Sequence, residues 1–198
     1  MNKKIILHLA RHGQTMWNIE HRIQGQFDSP LTQEGKRQAL RLAQSCHSLD
    51  ITKILTSSLG RAVETADICA QQLALDIKEV VGFEERHFGC WQGKLTSEVN
   101  THQDYDEITS QITDCKPEQG ESAITSLNRF EAALKNELDN KKEANNIERY
   151  LIIIHGDILR CFMASLTGTK KSLSGYDYKN GEIVSLSYEV QSGKFSIL

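Results

Sequence analysis

Two histidines stand where apolar segments end. Arg11-His12-Gly13 closes the run from Lys4 to Ala10, and His155-Gly156 closes Tyr150 to Ile154. A histidine can attack phosphorus only while neutral, with one ring nitrogen bare and the other donating a hydrogen bond, and a loop at a strand end can supply the acceptor. The phosphoryl group in flight carries charge on three oxygens, which arginine's planar fork matches. Arg11 adjoins His12, and Arg61 opens a helical stretch, where N-terminal amides also favour anions. The departing alkoxide needs a proton from a carboxylic acid whose pKa is raised by its surroundings. Glu84 and Glu85 are both candidates, within the tract FEERHFGCWQG from Phe83 to Gly93. That mixture of acids, aromatics and glycines suits a pocket wall, in which Arg86 and His87 either touch substrate or pack.

The elements that must carry these groups follow from periodicity. Lys4 to Ala10 and Tyr150 to Ile154 are strands buried on both faces, with further strands at Ile51 to Thr56 and Ile77 to Val81. Thr32 caps a helix running to about Ser48, and Ser57 or Ser58 opens another to about Leu73. Ser122 begins a helix through Leu127, Phe130, Leu134 and Leu138, which ends in the charged, Asn-rich stretch from Asn140 to Glu148, a solvated connection. A last helix spans Ile158 to Leu166 and is closed by Gly168. Glu182 to Val190 alternates as a late strand pairing antiparallel at an edge. The fold class is therefore α/β, a three-layer sandwich with a mostly parallel central sheet between helices and one antiparallel edge strand. The polar stretch Thr96 to Lys116 is assigned to helix, inside an insertion (residues 94–120) expected to cover the site as a lid. In such sheets ligands sit beyond the carboxyl ends of the strands, so both histidines are expected at one functional edge.

Composition bounds the function. A chain of 198 residues with 39% hydrophobic and 25% charged residues is an ordinary globular protein, expected to form a single domain over 1–198. The net charge of −3 gives no general attraction to nucleic acid or anionic membrane, and no apolar run approaches the roughly 20 residues of a membrane span. Arg11 and His12 interrupt the N-terminal apolar run before it forms a secretory signal. Cys46, Cys69, Cys90, Cys115 and Cys161 are odd in number and form no CxxC pair, which suits reduced thiols in the cytoplasm. His155 with Asp157 is too small a set for a metal-dependent phosphoesterase, so no metal and no cofactor is expected.

The string RHGQTMWN, Arg11 to Asn18, strongly resembles the histidine phosphatase superfamily, the phosphoglycerate mutase-like proteins (branch 1). RIQGQFDSPLTQEG, SSLGRAVETA, FEERHFGCWQG, PEQGES and HGDILR follow in the family order, so the resemblance spans nearly the whole chain. It implies that His12 accepts the phosphoryl group while Arg11, Arg61 and His155 clamp it, with Gly156 in the second histidine motif. It further implies that Asn18 helps to hold the phosphate, although asparagine equally suits a turn cap, and that Gln24 and Gly25 belong to a loop facing the substrate. In the family the acid stands four positions before the glycine of an aromatic-glycine pair; Phe88-Gly89 is that pair here, which selects Glu85 over Glu84.

The resemblance implies a metal-independent phosphomonoester hydrolase acting on a small phosphorylated metabolite. PEQGES and the short middle segment lean toward the broad phosphatases; a cofactor-dependent phosphoglycerate mutase is the main alternative, and a non-catalytic binding protein on the same fold a remoter one. The second histidine motif departs from the family's usual Ser-His-Gly-Gly, with Ile154 and Asp157 in place of the serine and second glycine. A carboxylate at 157 either repels a dianion, points away, or selects a substrate with a hydroxyl or cationic group.

Overall fold

The computed structural model describes residues 4–139, 147–168 and 178–198. Its strands are β1 (Lys4–Arg11), β2 (Lys53–Thr56), β3 (Ile77–Glu79), β4 (Glu148–Ile154), β5 (Ile183–Glu189) and β6 (Lys194–Ile197). The helices are α1 (Met16–Ile19), α2 (Gln33–Cys46), α3 (Gly60–Leu73), α4 (Thr96–Val99), α5 (Tyr105–Ser110), α6 (Ala123–Asp139) and α7 (Gly156–Thr167). The sheet order is β3-β2-β4-β1-β5-β6, with β1 to β4 parallel and the last two strands antiparallel.

β4 sits centrally because its sequence is apolar on both faces. Successive side chains point to opposite sides of a strand. Tyr150, Ile152 and Ile154 therefore enter one core, with Ile5, Leu7 and Leu9 of β1, Phe130, Leu134 and Leu138 of α6, and Phe162 of α7. Leu151 and Ile153 enter the other, with Leu42 and Ala43 of α2 and Ala62, Ala66 and Cys69 of α3. These two cores make the sandwich the sequence predicts. Thr32 caps α2 by accepting from the Gly35 amide at 2.9 Å, and Gly168, at φ 71°, closes α7.

Three expectations change. The antiparallel flank is a pair of strands: β5 pairs antiparallel as expected, with β1 as its partner, but the short β6, whose Lys-Phe-Ser-Ile carries little alternation, takes the outermost place. Thr96 to Lys116 is not one helix. It holds the short α4 and α5 in irregular chain, because Val99 and Ile108 supply too few apolar positions for a longer amphipathic face. They pack instead with Ile23, Phe88 and Trp91 in a small third core separate from the sheet. Finally, α3 starts at Gly60, beyond both Ser57 and Ser58. Most of the stretch expected as a solvated connection, residues 140–146, lies outside the described residues.

The loop after β1 is pressed against the start of α2. A Cβ on Gly35 would lie 2.1 Å from the Gln14 carbonyl oxygen, and one on Gly13 would lie 2.5 Å from the Gly35 carbonyl oxygen. Both contacts are backbone and cannot give way by side-chain rotation. Gly35→Ala is therefore expected to cost about 1–3 kcal/mol, as overpacking usually does, read as a lower urea midpoint at unchanged slope. An unchanged midpoint would show that the loop relaxes freely.

Candidate active site

His12 leaves β1 with its amide still donating to the Ile154 carbonyl at 3.0 Å, so the sheet itself fixes its position. The side chain is buried, and its Nδ1 lies 2.7 Å from the Gly13 carbonyl oxygen. A carbonyl can only accept, so Nδ1 carries the hydrogen and Nε2 keeps a bare lone pair. That lone pair accepts the Nε–H of Arg61 at 3.1 Å, which is consistent only with a neutral ring. Burial, then Arg61 and Arg11, hold the His12 pKa well below its ordinary value.

Arg61 is buried on the first turn of α3 and is held by the loop before α2. It donates to the carbonyls of Gly25 at 2.7 Å and Phe27 at 2.8 Å and to Asp28 Oδ1 at 2.9 Å. Asp28 also accepts from the amides of Gly60 at 2.6 Å and Arg61 at 3.3 Å. One carboxylate thus caps α3 and anchors its arginine. The sequence reading missed Asp28, although there was a signal: Leu59, at the N-cap, has no side chain able to accept, so the first amides of α3 had to find an acceptor elsewhere. Gly25 is in the left-handed region at φ 54°, and a Cβ there would lie 2.2 Å from Gln92 Oε1. Only glycine brings that carbonyl to Arg61 without strain.

His155 is the N-cap of α7 and is fully buried, its ring centroid 5.3 Å from that of His12. Its Nε2 pairs with Ser57 Oγ at 2.7 Å, and its Nδ1 has no hydrogen-bond partner among the described residues. Ser57 Oγ also accepts the Leu59 amide at 3.3 Å, so this hydroxyl ties His155 to the start of α3. Burial, then Arg61, His12 and Arg11, lower the His155 pKa well below the ordinary range.

The two neighbouring acids separate cleanly. Glu84 turns to Ser58 Oγ at 2.8 Å, the Gly82 amide at 2.7 Å and Arg129 at 3.5 Å. Glu85 is buried in the cavity wall, where Oε1 accepts the amides of Arg86 at 2.9 Å and Ile158 at 3.1 Å and Oε2 that of Asp157 at 3.0 Å. Burial and then Asp157 raise its pKa, against those amides and Arg61.

A cavity of about 390 Å³ brings together Arg11, His12, Asn18, Gln24, Gly25, Arg61, Glu85 and Gly156. His155, although its ring lies 5.3 Å from that of His12, is not among the residues that line the cavity, contrary to the expectation that it clamps the phosphate. Asn18 has both roles the sequence allowed: it lines the cavity, and its Oδ1 accepts from the Thr15 amide at 3.0 Å as part of a capping box. Gln24 Oε1 accepts from Thr15 Oγ1 at 3.1 Å. Arg11 donates from one terminal nitrogen to the Tyr178 carbonyl at 3.0 Å.

Neither Arg86 nor His87 lines the cavity. Arg86 is fully buried and donates to the carbonyls of Ile108 at 2.8 Å, Glu121 at 2.9 Å and Cys115 at 3.2 Å, while His87 Nδ1 accepts the Gly89 amide at 3.1 Å. Asp157 lines the cavity, but its Oδ1 is tied back to Arg160 at 2.7 and 3.0 Å. The outer wall is Arg22, Ile23, Phe88 and, from α5, Tyr105, Asp106, Thr109 and Ser110. Among the described residues no three His, Cys, Asp or Glu side chains gather as a metal-binding group, and no helix is long and apolar enough to cross a membrane.

Comparison with known proteins agrees with this arrangement. Residues 7–197 match the family described as the Histidine phosphatase superfamily (branch 1). A probable phosphoglycerate mutase GpmB of Proteus mirabilis is 34% identical over 187 residues, covering 88% of this chain and 85% of that protein. Among solved structures, YhfR of Bacillus stearothermophilus superposes with a TM-score of 0.82 at 29% identity, over 98% of this chain and 95% of that one. A mycobacterial glucosyl-3-phosphoglycerate phosphatase shares the fold with a TM-score of 0.83 at 22% identity, over 99% and 97% of the two chains.

The buried neutral histidines give stability a pH dependence. In the unfolded chain both rings titrate near their ordinary value of 6.5, and in the folded chain well below it. Below about pH 6.5 the unfolded state binds more protons, so their contribution is intact above that pH and is lost as pH falls through it. Glu85, with its pKa raised, runs the other way and is unaltered by a change at 155. The melting temperature is expected to fall between pH 7.5 and 5.5, and less steeply in His155→Gln. Parallel slopes for the two proteins would contradict this account.

Proposed function

The chain belongs to the histidine phosphatase superfamily, branch 1, and we propose that it hydrolyses phosphate monoesters through a phosphohistidine formed on His12. The observation that carries the reading is the fixed tautomer of His12, whose bare Nε2 faces the same cavity as Arg11, Arg61 and the buried Glu85. A phosphate oxygen takes over the Arg61 Nε–H that covers this lone pair in the free enzyme, and others meet Arg11. With Oδ1 held by Thr15, Asn18 turns its amide nitrogen toward the phosphate as a further donor, and Gln24 and Gly25 keep the loop that carries Arg61's acceptors.

In the first step Nε2 of His12 bonds to phosphorus as the ester P–O bond breaks, and Glu85 gives its proton to the leaving oxygen. Oε2, with a single amide donor, is the oxygen with room for that proton. In the second step the Glu85 carboxylate takes a proton from water, the water oxygen bonds to phosphorus and the N–P bond breaks, releasing phosphate and restoring both side chains. No step calls for a metal ion.

The relative named as a probable mutase favours a second reading, in which phosphohistidine returns its phosphate to another hydroxyl of phosphoglycerate. The cavity wall supports hydrolysis instead. A phosphoglycerate carries a carboxylate that needs its own cation, yet beyond Arg11 and Arg61 the described residues of the wall add only Arg22, which is already bound to Glu20 at 3.1 Å and to the Gly93 carbonyl. The remaining outer wall, including Ile23, Phe88, Tyr105 and the carboxylate of Asp106, suits a small phosphate ester without a second anionic group. The scattered, unpaired cysteines support a reducing, cytoplasmic setting.

His12→Ala is expected to abolish phosphate release from p-nitrophenyl phosphate, and Arg61→Ala to lower kcat by about 10²–10³, as loss of one transition-state donor does. Wild-type turnover should persist in EDTA and be inhibited by vanadate. Retained turnover in His12→Ala would refute the mechanism. With 3-phosphoglycerate and its bisphosphate primer, free phosphate is the expected product; prompt formation of the 2-isomer would establish the mutase reading.

A further inference from the structure

Glu85 is held by three backbone amides, those of Arg86, Asp157 and Ile158, and two of these are the first free amides of α7. Amide donors and a helix N-terminus both favour the carboxylate, the wrong form for a group that must enter the reaction carrying a proton. A counterweight is needed beside it. Asp157 supplies one: its backbone donation brings it next to Glu85, both residues are buried, and both line the same cavity, so its carboxylate is an anion close to that of Glu85. Arg160 Nε and a terminal nitrogen fix Oδ1 at 3.0 and 2.7 Å, and Arg86 stands 3.6 Å from Oδ2. Those guanidinium groups compensate the burial of the Asp157 charge from the side away from the cavity.

We propose that Asp157, clamped by Arg160 and Arg86, is a positioning residue that keeps the proton on Glu85 between turnovers. The inference rests on the phosphohistidine reading above and adds to it the device that loads the acid. The groups facing Glu85 are Asp157 and Arg160 of α7, Arg61 of α3, Arg11 and His12 at the end of β1, and His155 at the end of β4. Glu84 and Arg86 flank it in sequence, Arg129 of α6 bonds its carbonyl at 3.3 Å with Glu121 beside it, and Arg22 and Asp106 close the cavity. The nearest cations favour ionisation, and Asp157 is the anion tied directly to the Glu85 carboxylate through its own amide. Its effect on Glu85, second only to burial, agrees with this geometry.

The test compares two esters. An alkyl phosphate such as 2-glycerophosphate needs the proton of Glu85, and p-nitrophenyl phosphate, with its acidic leaving group, needs it little. Asp157→Asn removes the anion and leaves Arg160 and Arg86 uncompensated, so the basic limb of the kcat profile for the alkyl ester should move down by about one pH unit or more, with roughly tenfold loss at pH 7.5. Turnover of p-nitrophenyl phosphate should change less than about threefold, and Asp157→Glu should restore the limb. Equal losses on both esters with an unmoved limb would overturn the inference. If Asp157→Asn fails to fold, Arg160→Gln serves: the limb should move up, and an unmoved limb would again overturn it. An acid-labile, alkali-stable phosphoenzyme in the wild type keeps the two readings apart. Its absence sinks the phosphohistidine mechanism itself, and its presence with an unmoved limb sinks only the role of Asp157.

Discussion

The parallel pairing of β1 with β4 ends with Arg11 opposite Ile154, and the His12 amide prolongs it by one bond to the Ile154 carbonyl. Everything chemical in the molecule is measured from that bond. It brings the first residues beyond the two most buried strands side by side, which is why the rings of His12 and His155 lie 5.3 Å apart although the residues are far apart in sequence. A slip of one residue would exchange the faces of the strand and carry Ile152 and Ile154 out of the core they share with Phe130 and Phe162. The apolar pattern that builds the sandwich therefore also fixes the site.

Around that bond the protein buries charge on a scale that needs compensation. Arg61, Arg86 and Arg160 are among its largest fully buried side chains, and each is answered by oxygen: Arg61 by Asp28 and loop carbonyls, Arg86 by three carbonyls, Arg160 by Asp157. Removing one partner of such a set leaves a charge stranded in a dry interior, at a cost of about 3–5 kcal/mol. Only Arg61 shares its donors with the cavity. The other two lie outside the cavity wall, and the histidines stay neutral because burial and the nearby Arg61 and Arg11 disfavour a further positive charge.

The sheet, its helices and most of the candidate site were legible because their signals are local. Apolar runs marked β1 and β4, the residues just past them had to lie at one edge, and the tract from Phe83 to Gly93 announced a pocket wall. The family order of motifs separated Glu85 from Glu84, and the structure gives the cause: Ser58, the Gly82 amide and Arg129 occupy Glu84. What escaped the sequence was non-local. Asp28 acts on a helix that begins far along the chain, and the direction of Asp157 depends on Arg86, which arrives from another segment. The stretch after Thr96 misled because its few apolar residues serve a small core of their own and not a helix face. β6 was too short to show a pattern.

Arg86 grips the covering segment only by main-chain oxygens, those of Ile108, Cys115 and Glu121. A clamp of that kind is blind to the side chains it holds. Asp106 and Thr109, which line the cavity from α5, lie outside that grip, whereas Tyr105 also packs against the small core of Val99, Ile108, Phe88 and Trp91. Two independent constraints therefore shape one cavity: strand pairing sets the histidine side, and a short segment with a core of its own sets the outer wall.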